Sequence, residues 1–241
     1  MNREKWNRLA GRFKSAVCDI TATDQNRVLH RLVQKSLHRR SQPVLVELGC
    51  GIGTFISKFG PQFGEVCGVD YSPRMLGKAK SRCAFLPHAR WLCSSVERAP
   101  RLLGRVADLT SCLNVITSPT ASRREAQWAS VAATTKTGGF ALIVVPSVES
   151  EQMVATLGQP GQVGETPVES RSGLTYRGKT LQKFYSRPEL NETIERHGLL
   201  VHTLTPVHYP WTEEGVSPKH GGLDTYPWDW GCLAYHPIRA F

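Results

Sequence analysis

Residues 44–55 read VLVELGCGIGTF. Val44, Leu45 and Val46 lead through Glu47 and Leu48 into Gly49, Cys50, Gly51, Ile52 and Gly53, and Thr54, Phe55 and Ile56 restart a helical pattern. A short, near-continuous apolar run suits a parallel strand buried on both faces. Glycines let the chain turn sharply and let a ligand approach the backbone. Strand, glycine turn and helix in that order leave backbone N–H groups free at a helix N-terminus, where a nucleoside-type ligand can meet them. A tight connection needs glycine with or without a ligand, so the next acid matters. Val66–Asp70 (VCGVD) reads as a second strand ending in a carboxylate 23 residues after Glu47. In doubly wound folds an acid at that place holds ribose hydroxyls. The dinucleotide fingerprint would put another glycine three residues after Gly51, and Thr54 stands there instead.

ELGCGIGTF followed by GVDYSPRML resembles the glycine loop and acidic second strand of class I S-adenosylmethionine-dependent methyltransferases. The resemblance covers residues 44–145, with a fainter echo in WNRLAGRFKSAV near the N-terminus. It implies an α/β, Rossmann-like, doubly wound fold: a mostly parallel seven-stranded sheet with helices on both faces and an antiparallel edge strand. It also implies S-adenosyl-L-methionine as cofactor and S-adenosyl-L-homocysteine as product. Carried over residue by residue, Glu47 faces the methionine end or orders the loop, Gly49, Cys50, Gly51 and Gly53 line the cofactor, Asp70 binds ribose and Tyr71 flanks adenine. In related proteins an N-terminal helix of the W-x-x-x-A-x-x-F/Y type covers the pocket, with its last aromatic near the transferred methyl; here that residue is Phe13. Trp6 and Phe13 read equally well as core contacts. Where the family often has an acid gripping the adenine amine, this chain has Ser95, which leaves adenine to the backbone around Val96.

The rest of the chain is organised around that core. Its 241 residues suit one sizeable domain, divided as an N-terminal helical cap (1–40), a cofactor-binding core (41–146), an insertion or lid (147–185) and a C-terminal helix with edge strands (186–241). The apolar spacing of Trp6, Leu9, Phe13, Val17 and Ile20 predicts one amphipathic helix, and a second is expected from about Thr23 to Leu37. A helix over 54–59 stops at Gly60 and Pro61; Ser72 with Pro73 starts another that continues to about Cys83. Strands follow at about 90–93 and 107–114. Asn114, at the end of the fourth strand where ligands bind in an open parallel sheet, is a candidate polar contact to cofactor or substrate, or a turn cap. Val115 and Ile116 follow it, so the Asn/Asp-Pro-Pro-aromatic signature of enzymes that methylate planar amide or base nitrogens is missing. Ser122 with Glu125, and Ser186 with Glu189, are read as capping boxes. The first opens a helix to Thr137; the second opens one to His197, ended by Gly198. FALIVV (140–145) is the next strand, 147–180 lacks periodicity, and 199–205 and 231–236 are the last two strands.

Between those strands, 207–230 reads VHYPWTEEGVSPKHGGLDTYPWDW. Aromatics on a rigid loop can box a cation or stack on a planar substrate, which makes Tyr209, Trp211 and Trp228 substrate candidates; they can equally form the loop's own small core. Methyl transfer from a sulfonium is an in-line displacement needing alignment and water exclusion rather than a covalent nucleophile. A hydroxyl acceptor gains from a base near the working pH, for which His208, His220, Asp224 and Asp229 are the candidates.

Composition narrows the rest. No run of about 18 apolar residues suggests a membrane span, and MNREKWNRLAGRFK lacks a secretory-signal core, so a soluble cytoplasmic protein is expected. Seven cysteines without a C-x-x-C pair read as buried reduced thiols, and no metal site is expected. The net charge of +10 is concentrated in the first forty residues, which hold ten Lys or Arg against three acids, a surplus of seven. This is a solvated helical face or a surface for a polyanion. The leading reading is a methyltransferase acting on a small-molecule acceptor by N- or O-methylation. The alternatives are an RNA or protein methyltransferase using the basic N-terminal face, and a non-catalytic cofactor-binding partner protein. Oligomeric state is not legible.

Overall fold

The computed structural model describes residues 3–13, 17–37, 41–157, 172–177, 180–215 and 225–238. Nine strands are present among them: Val44–Leu48 (β1), Glu65–Asp70 (β2), Ala89–Cys93 (β3), Ala107–Leu113 (β4), Thr135–Pro146 (β5), Leu174–Arg177 (β6), Thr180–Lys183 (β7), Leu200–His208 (β8) and Trp228–Tyr235 (β9). Seven form one sheet in the order β3-β2-β1-β4-β5-β9-β8, and β6 pairs with β7 as a separate hairpin. Pairings from β3 through β5 are parallel, and β9 runs against both β5 and β8. The expected doubly wound sheet with helices on both faces is therefore what the chain adopts.

Alternation along β1 explains why its apolar run is continuous. Val46 and Leu48 face a core with Val69, Trp128 and Ile194, whereas Leu45 faces another with Leu29, Phe55, Phe59 and Leu76. Successive side chains point to opposite faces, and both faces carry helices. Ala121–Thr134 and Arg187–Arg196 cover the first; Val28–Leu37, Thr54–Phe59 and Pro73–Arg82 cover the second.

Local signals were read correctly where they were self-contained. Ser72 Oγ accepts the Met75 N–H at 3.2 Å and opens Pro73–Arg82; Ser186 Oγ accepts that of Glu189 at 3.4 Å, but the Glu189 carboxylate accepts from Lys183 Nζ at 2.7 Å, so only the N-cap half of the expected capping box forms. Elsewhere the structure corrects the expectations. The first amphipathic helix is broken: Arg3–Leu9 passes into a 3-10 turn at Ala10–Arg12, and a new helix starts at Ile20 with Asp19 as its cap. The second begins at Val28 rather than Thr23, because the Asp24 carboxylate accepts the N–H groups of Val28 and Leu29, each at 2.9 Å. Aspartate competes for backbone donors and so favours caps over helix interiors. Ser122 and Glu125 do not form a capping box. The helix begins at Ala121 with Thr120 as N-cap and no side-chain cap bond, while Glu125 Oε1 accepts from Arg196 at 2.9 Å. That helix ends at Thr134, since Thr135 already pairs with Ala107 in the sheet. The stretch taken as aperiodic contains the helix Val148–Leu157 and the β6–β7 hairpin. The loop expected at 207–230 is shorter at both ends: Val207 and His208 belong to β8 and Trp228–Trp230 to β9, with His208 opposite Trp228.

Candidate active site

β1 and β4 are neighbours whose chains leave toward opposite flanks of the sheet, β1 to β2 and β4 to β5. Such a switch point leaves a crevice beyond the carboxyl ends of the strands. The glycine turn forms one wall of the cavity there. The N–H groups of Gly49 and Cys50 both donate to Val69 O, at 2.8 and 2.9 Å, and Gly53 N–H donates to Cys50 O at 2.9 Å. Gly49 and Gly51 have φ of +79° and +51°, a region L side chains rarely adopt. A Cβ on Gly49 would lie 2.3 Å from Val115 Cγ2, so the turn can seat against β4 only without a side chain.

Asp70 ties this turn to its surroundings. Its Oδ2 accepts the Gly51 N–H at 3.0 Å and its Oδ1 accepts the Ser72 N–H at 2.8 Å. Ser72 in turn donates through Oγ to Asn7 Oδ1 at 2.6 Å, which draws in the N-terminal helix. Burial pushes the Asp70 carboxyl above its ordinary range, against the pull of those two N–H groups.

Glu47, Gly49, Cys50, Gly51, Asp70, Tyr71, Ser95, Val96 and Asn114 all line the cavity. Gly53 does not; a Cβ there would lie 3.0 Å from Ala79 Cβ, so it serves the packing of the turn on the helix Pro73–Arg82. Phe13 lies over the turn, its ring 3.7 Å from where a Gly51 Cβ would stand. Thr180, Leu181 and Gln182 of β7 also line the cavity, and Lys5 Nζ donates to Thr180 Oγ1 at 3.1 Å, joining the two covering segments.

The lining is acidic in a basic protein. Asp19, Glu47, Asp70 and Glu97 all contribute, against Arg123. Arg123 Nε donates to Glu97 Oε1 at 3.0 Å. Burial pushes Glu97 up, yet its hydrogen bonds outweigh that and hold it below the ordinary carboxylate range. Among the described residues three lining carboxylates then remain with no lining cation to balance them. Burial, and next the charges of Asp19 and Asp70, push Glu47 well above its ordinary range. Glu47 Oε2, Asn114 Oδ1 and Gln127 Oε1 are buried without a hydrogen-bond partner among the described residues. Orphaned buried acceptors of this kind call for a partner. A ligand with positive charge and N–H donors meets that need, and S-adenosylmethionine, with its sulfonium, ammonium and adenine amine, has this chemistry.

The other candidates are arranged differently. His208 Nδ1 lies 3.1 Å from Tyr226 O, Tyr209 is buried and donates its hydroxyl to Glu214 Oε1 at 2.7 Å, and Trp211 Nε1 donates to Thr225 O at 3.0 Å. Trp228 packs edge-on against Trp230, with centroids 6.2 Å apart. None of the four lines the cavity; Tyr209 is buried in the core that holds Leu45, and Trp228 and Trp230 pack in the core that holds Val46. His220 and Asp224 lie outside the described residues. Among the described residues no group of three or more His, Cys, Asp or Glu is arranged to hold a metal, and no helix is long and apolar enough to cross a membrane. Residues missed as site members include Asp19, Gln127 and the Glu97–Arg123 pair. Asp229 was weighed only as a base, yet its Oδ2 accepts from Asn114 Nδ2 at 2.6 Å. The alternation Trp228-Asp229-Trp230 was the available signal, since period two is a strand pattern that sends Asp229 to the face opposite the tryptophans.

A doubly wound sheet with a glycine turn at its switch point and a buried acid closing β2 is the arrangement found in nucleoside-binding α/β domains. Residues 45–139, 95 of the 241, match the family of methyltransferase domains. A malonyl-[acyl-carrier protein] O-methyltransferase of Anoxybacillus flavithermus is 30% identical over 88 residues, 36% of this chain and 33% of that protein. The match thus spans about a third of that relative's length. The fold is shared with the complex between the Trm112 methyltransferase activator and a methyltransferase from Haloferax volcanii (TM-score 0.66, 14% identity, 99% of each chain covered). It is shared too with the N-methyltransferase NodS from Bradyrhizobium japonicum bound to S-adenosyl-L-homocysteine (TM-score 0.64, 13% identity, 98% of each chain).

Proposed function

We propose that the chain transfers the methyl group of S-adenosylmethionine to a small-molecule acceptor by N- or O-methylation. The observation that carries this reading is the covered acidic cavity at the switch point, walled by the glycine turn and roofed by Phe13 and the β6–β7 hairpin. A roof from two segments leaves room for a compact acceptor and keeps water away from the reacting atoms. The name of NodS supports N-methylation and that of the malonyl-carrier relative a carrier-borne O-acceptor, and the seven free cysteines support a reducing, cytoplasmic setting.

The bound cofactor supplies an electrophilic methyl on a sulfonium. The chain's own residues do the rest. Gly49 and Gly51 allow close approach along the turn, Asp70 stands where ribose hydroxyls can donate to it, and Tyr71 and Val96 flank the adenine place. Asp19 and Glu47 supply negative charge for the cationic end, and a cation there would draw the raised Glu47 carboxyl back toward ionisation. Among the described residues no histidine lines the cavity, which favours an amine acceptor that needs alignment more than a base.

Calorimetric titration with S-adenosylmethionine and S-adenosylhomocysteine, on the parent and on Asp70→Ala, tests the cofactor site. Micromolar binding that the variant loses supports the reading; no binding of either compound removes it. A second reading keeps the chemistry but takes a polyanionic acceptor such as RNA. It is favoured by a groove beside the cavity lined by Arg8, Arg12, Arg74, Lys78 and Arg82. Affinity for a model RNA that falls steeply from 50 to 200 mM salt, as expected for several phosphate contacts, would favour it. Cofactor binding without turnover on either acceptor class would leave the non-catalytic partner role.

A further inference from the structure

The Asn114–Asp229 pair connects the cavity to a group outside it. Asn114 closes β4 with φ of +54°, its N–H donating to Val144 O at 2.8 Å. Asn114 is among the residues that line the cavity, while Asp229 is not. Asp229 sits in β9 opposite Pro146 and Val207, only 4% exposed. Its Oδ2 takes the Nδ2 hydrogen of Asn114 at 2.6 Å, and the other amide atom, Oδ1, is buried without a partner among the described residues. An ionised carboxylate can only accept. It therefore dictates which end of the amide faces it and which end faces away.

We propose that Asp229 is a positioning residue that holds the Asn114 amide with Oδ1 toward the cavity, so that this corner selects a methyl acceptor whose nucleophilic atom carries a hydrogen to donate, an N–H or O–H. The substrate class rests on the methyltransferase reading; the amide orientation does not. With its N–H or O–H directed to Asn114 Oδ1, the nucleophile keeps a lone pair free for the methyl carbon. The displacement balances: the N–C or O–C bond forms as the C–S bond breaks, the sulfur keeps that electron pair as a neutral thioether, and the acceptor's proton leaves to water.

The arrangement is sensitive to protonation. Burial pushes the Asp229 carboxyl up to about 6. The groups that act on it are Asn114 and Arg177, which favour its charge, and Glu214, which opposes it. The Asp229 charge is felt in turn by Cys18, Glu151 and Tyr209. Once protonated, Asp229 can donate, and the amide is free to reverse and present its NH2 to the cavity.

The test uses the full chain, 15N-labelled, with and without saturating S-adenosylhomocysteine, and follows the Asn114 side-chain amide by NMR from pH 5 to 8. The expected result is a downfield Hδ2 resonance above the transition that moves with a midpoint near 6 and whose titration is absent in Asp229→Asn. A flat Asn114 signal in the parent, or the same titration in the variant, overturns the proposal. Aniline and N,N-dimethylaniline then probe the cavity at pH 8 with the homocysteine product bound. A preference for aniline of about fivefold, the worth of one hydrogen bond, that vanishes in Asp229→Asn supports the substrate class; no preference in the parent overturns it. Failure of S-adenosylhomocysteine to bind would count against the methyltransferase reading alone, because the amide titration in the unliganded protein still judges Asp229. Unchanged dispersion of the remaining amide resonances in Asp229→Asn shows that the variant is folded.

Discussion

Removing the Asp70 carboxylate should weaken the fold as well as the cofactor site. The carboxylate satisfies two backbone donors, Gly51 N–H at 3.0 Å and Ser72 N–H at 2.8 Å, in a residue only 7% exposed. Asp70→Ala leaves both without an acceptor, and a buried N–H without one costs about 1–3 kcal/mol. Part of this is offset, because the lost carboxylate was itself held above its ordinary range by burial and its ionisation was costly. The net expectation is roughly 2–4 kcal/mol of destabilisation. For a chain of this size that corresponds to a fall in Tm on the order of 10 °C. Asp70→Asn keeps one accepting oxygen and turns its NH2 toward the second donor, so it should recover about half of the loss in stability. Thermal and urea unfolding of the three proteins, alongside S-adenosylhomocysteine titration, separates the two roles. If Asp70→Ala unfolds within roughly 2 °C of the parent, the carboxylate does not hold the glycine turn to the start of the next helix. Cofactor affinity would then be its whole contribution.

Gly49→Ala should destabilise by about 2–4 kcal/mol, from the clash of its Cβ with Val115 Cγ2 at 2.3 Å and from a φ of +79°. In the double variant with Val115→Ala the clash is gone and about 1–2 kcal/mol of backbone strain remains; urea unfolding that shows no recovery would refute the packing argument. Asp229→Asn should stabilise the protein in a pH-dependent way. The Asp229 pKa is raised from 3.8 to about 6, so the favourable protonated form is fully present below 3.8 and is lost as pH rises through 6. The variant, which never charges, should gain on the parent across that window, by at most about 3 kcal/mol above it. Denaturant midpoints of parent and variant that stay parallel from pH 5 to 8 would show that Asp229 is not perturbed.

What was legible in the sequence was what one segment decides alone. The glycine turn, the acid closing β2 and the Ser72-Pro73 helix start each need only a few consecutive residues, and each has a backbone reason: positive φ, a strand terminus, an orphan N–H to satisfy. The failures came where a partner distant in sequence decides the outcome. Glu125 could have reached back to cap its own helix, but Arg196, 71 residues on, holds it instead. Thr135–Gly139 carries no strand pattern, yet pairing with Ala107 recruits it to β5. The aromatic segment has the composition of a loop, yet its end has the period of a strand, with Trp228 and Trp230 on one face and Asp229 on the other.

The strand period bears on function, because Asp229, between the two rings, is the residue that bonds Asn114. The half of the cavity proposed for the cofactor is built from consecutive segments at the ends of β1, β2 and β3, the kind of feature a single sequence can display. The half proposed for the acceptor is assembled from β4, the β6–β7 hairpin, the N-terminal segment and β9, whose contacts span 115 residues in the case of Asn114 and Asp229 and 175 in the case of Lys5 and Thr180. A fold that fixes the cofactor by local turns and the acceptor by long-range contacts can exchange acceptors without rebuilding its core. The part of the molecule proposed to carry its specificity is for the same reason the part that a single sequence discloses least.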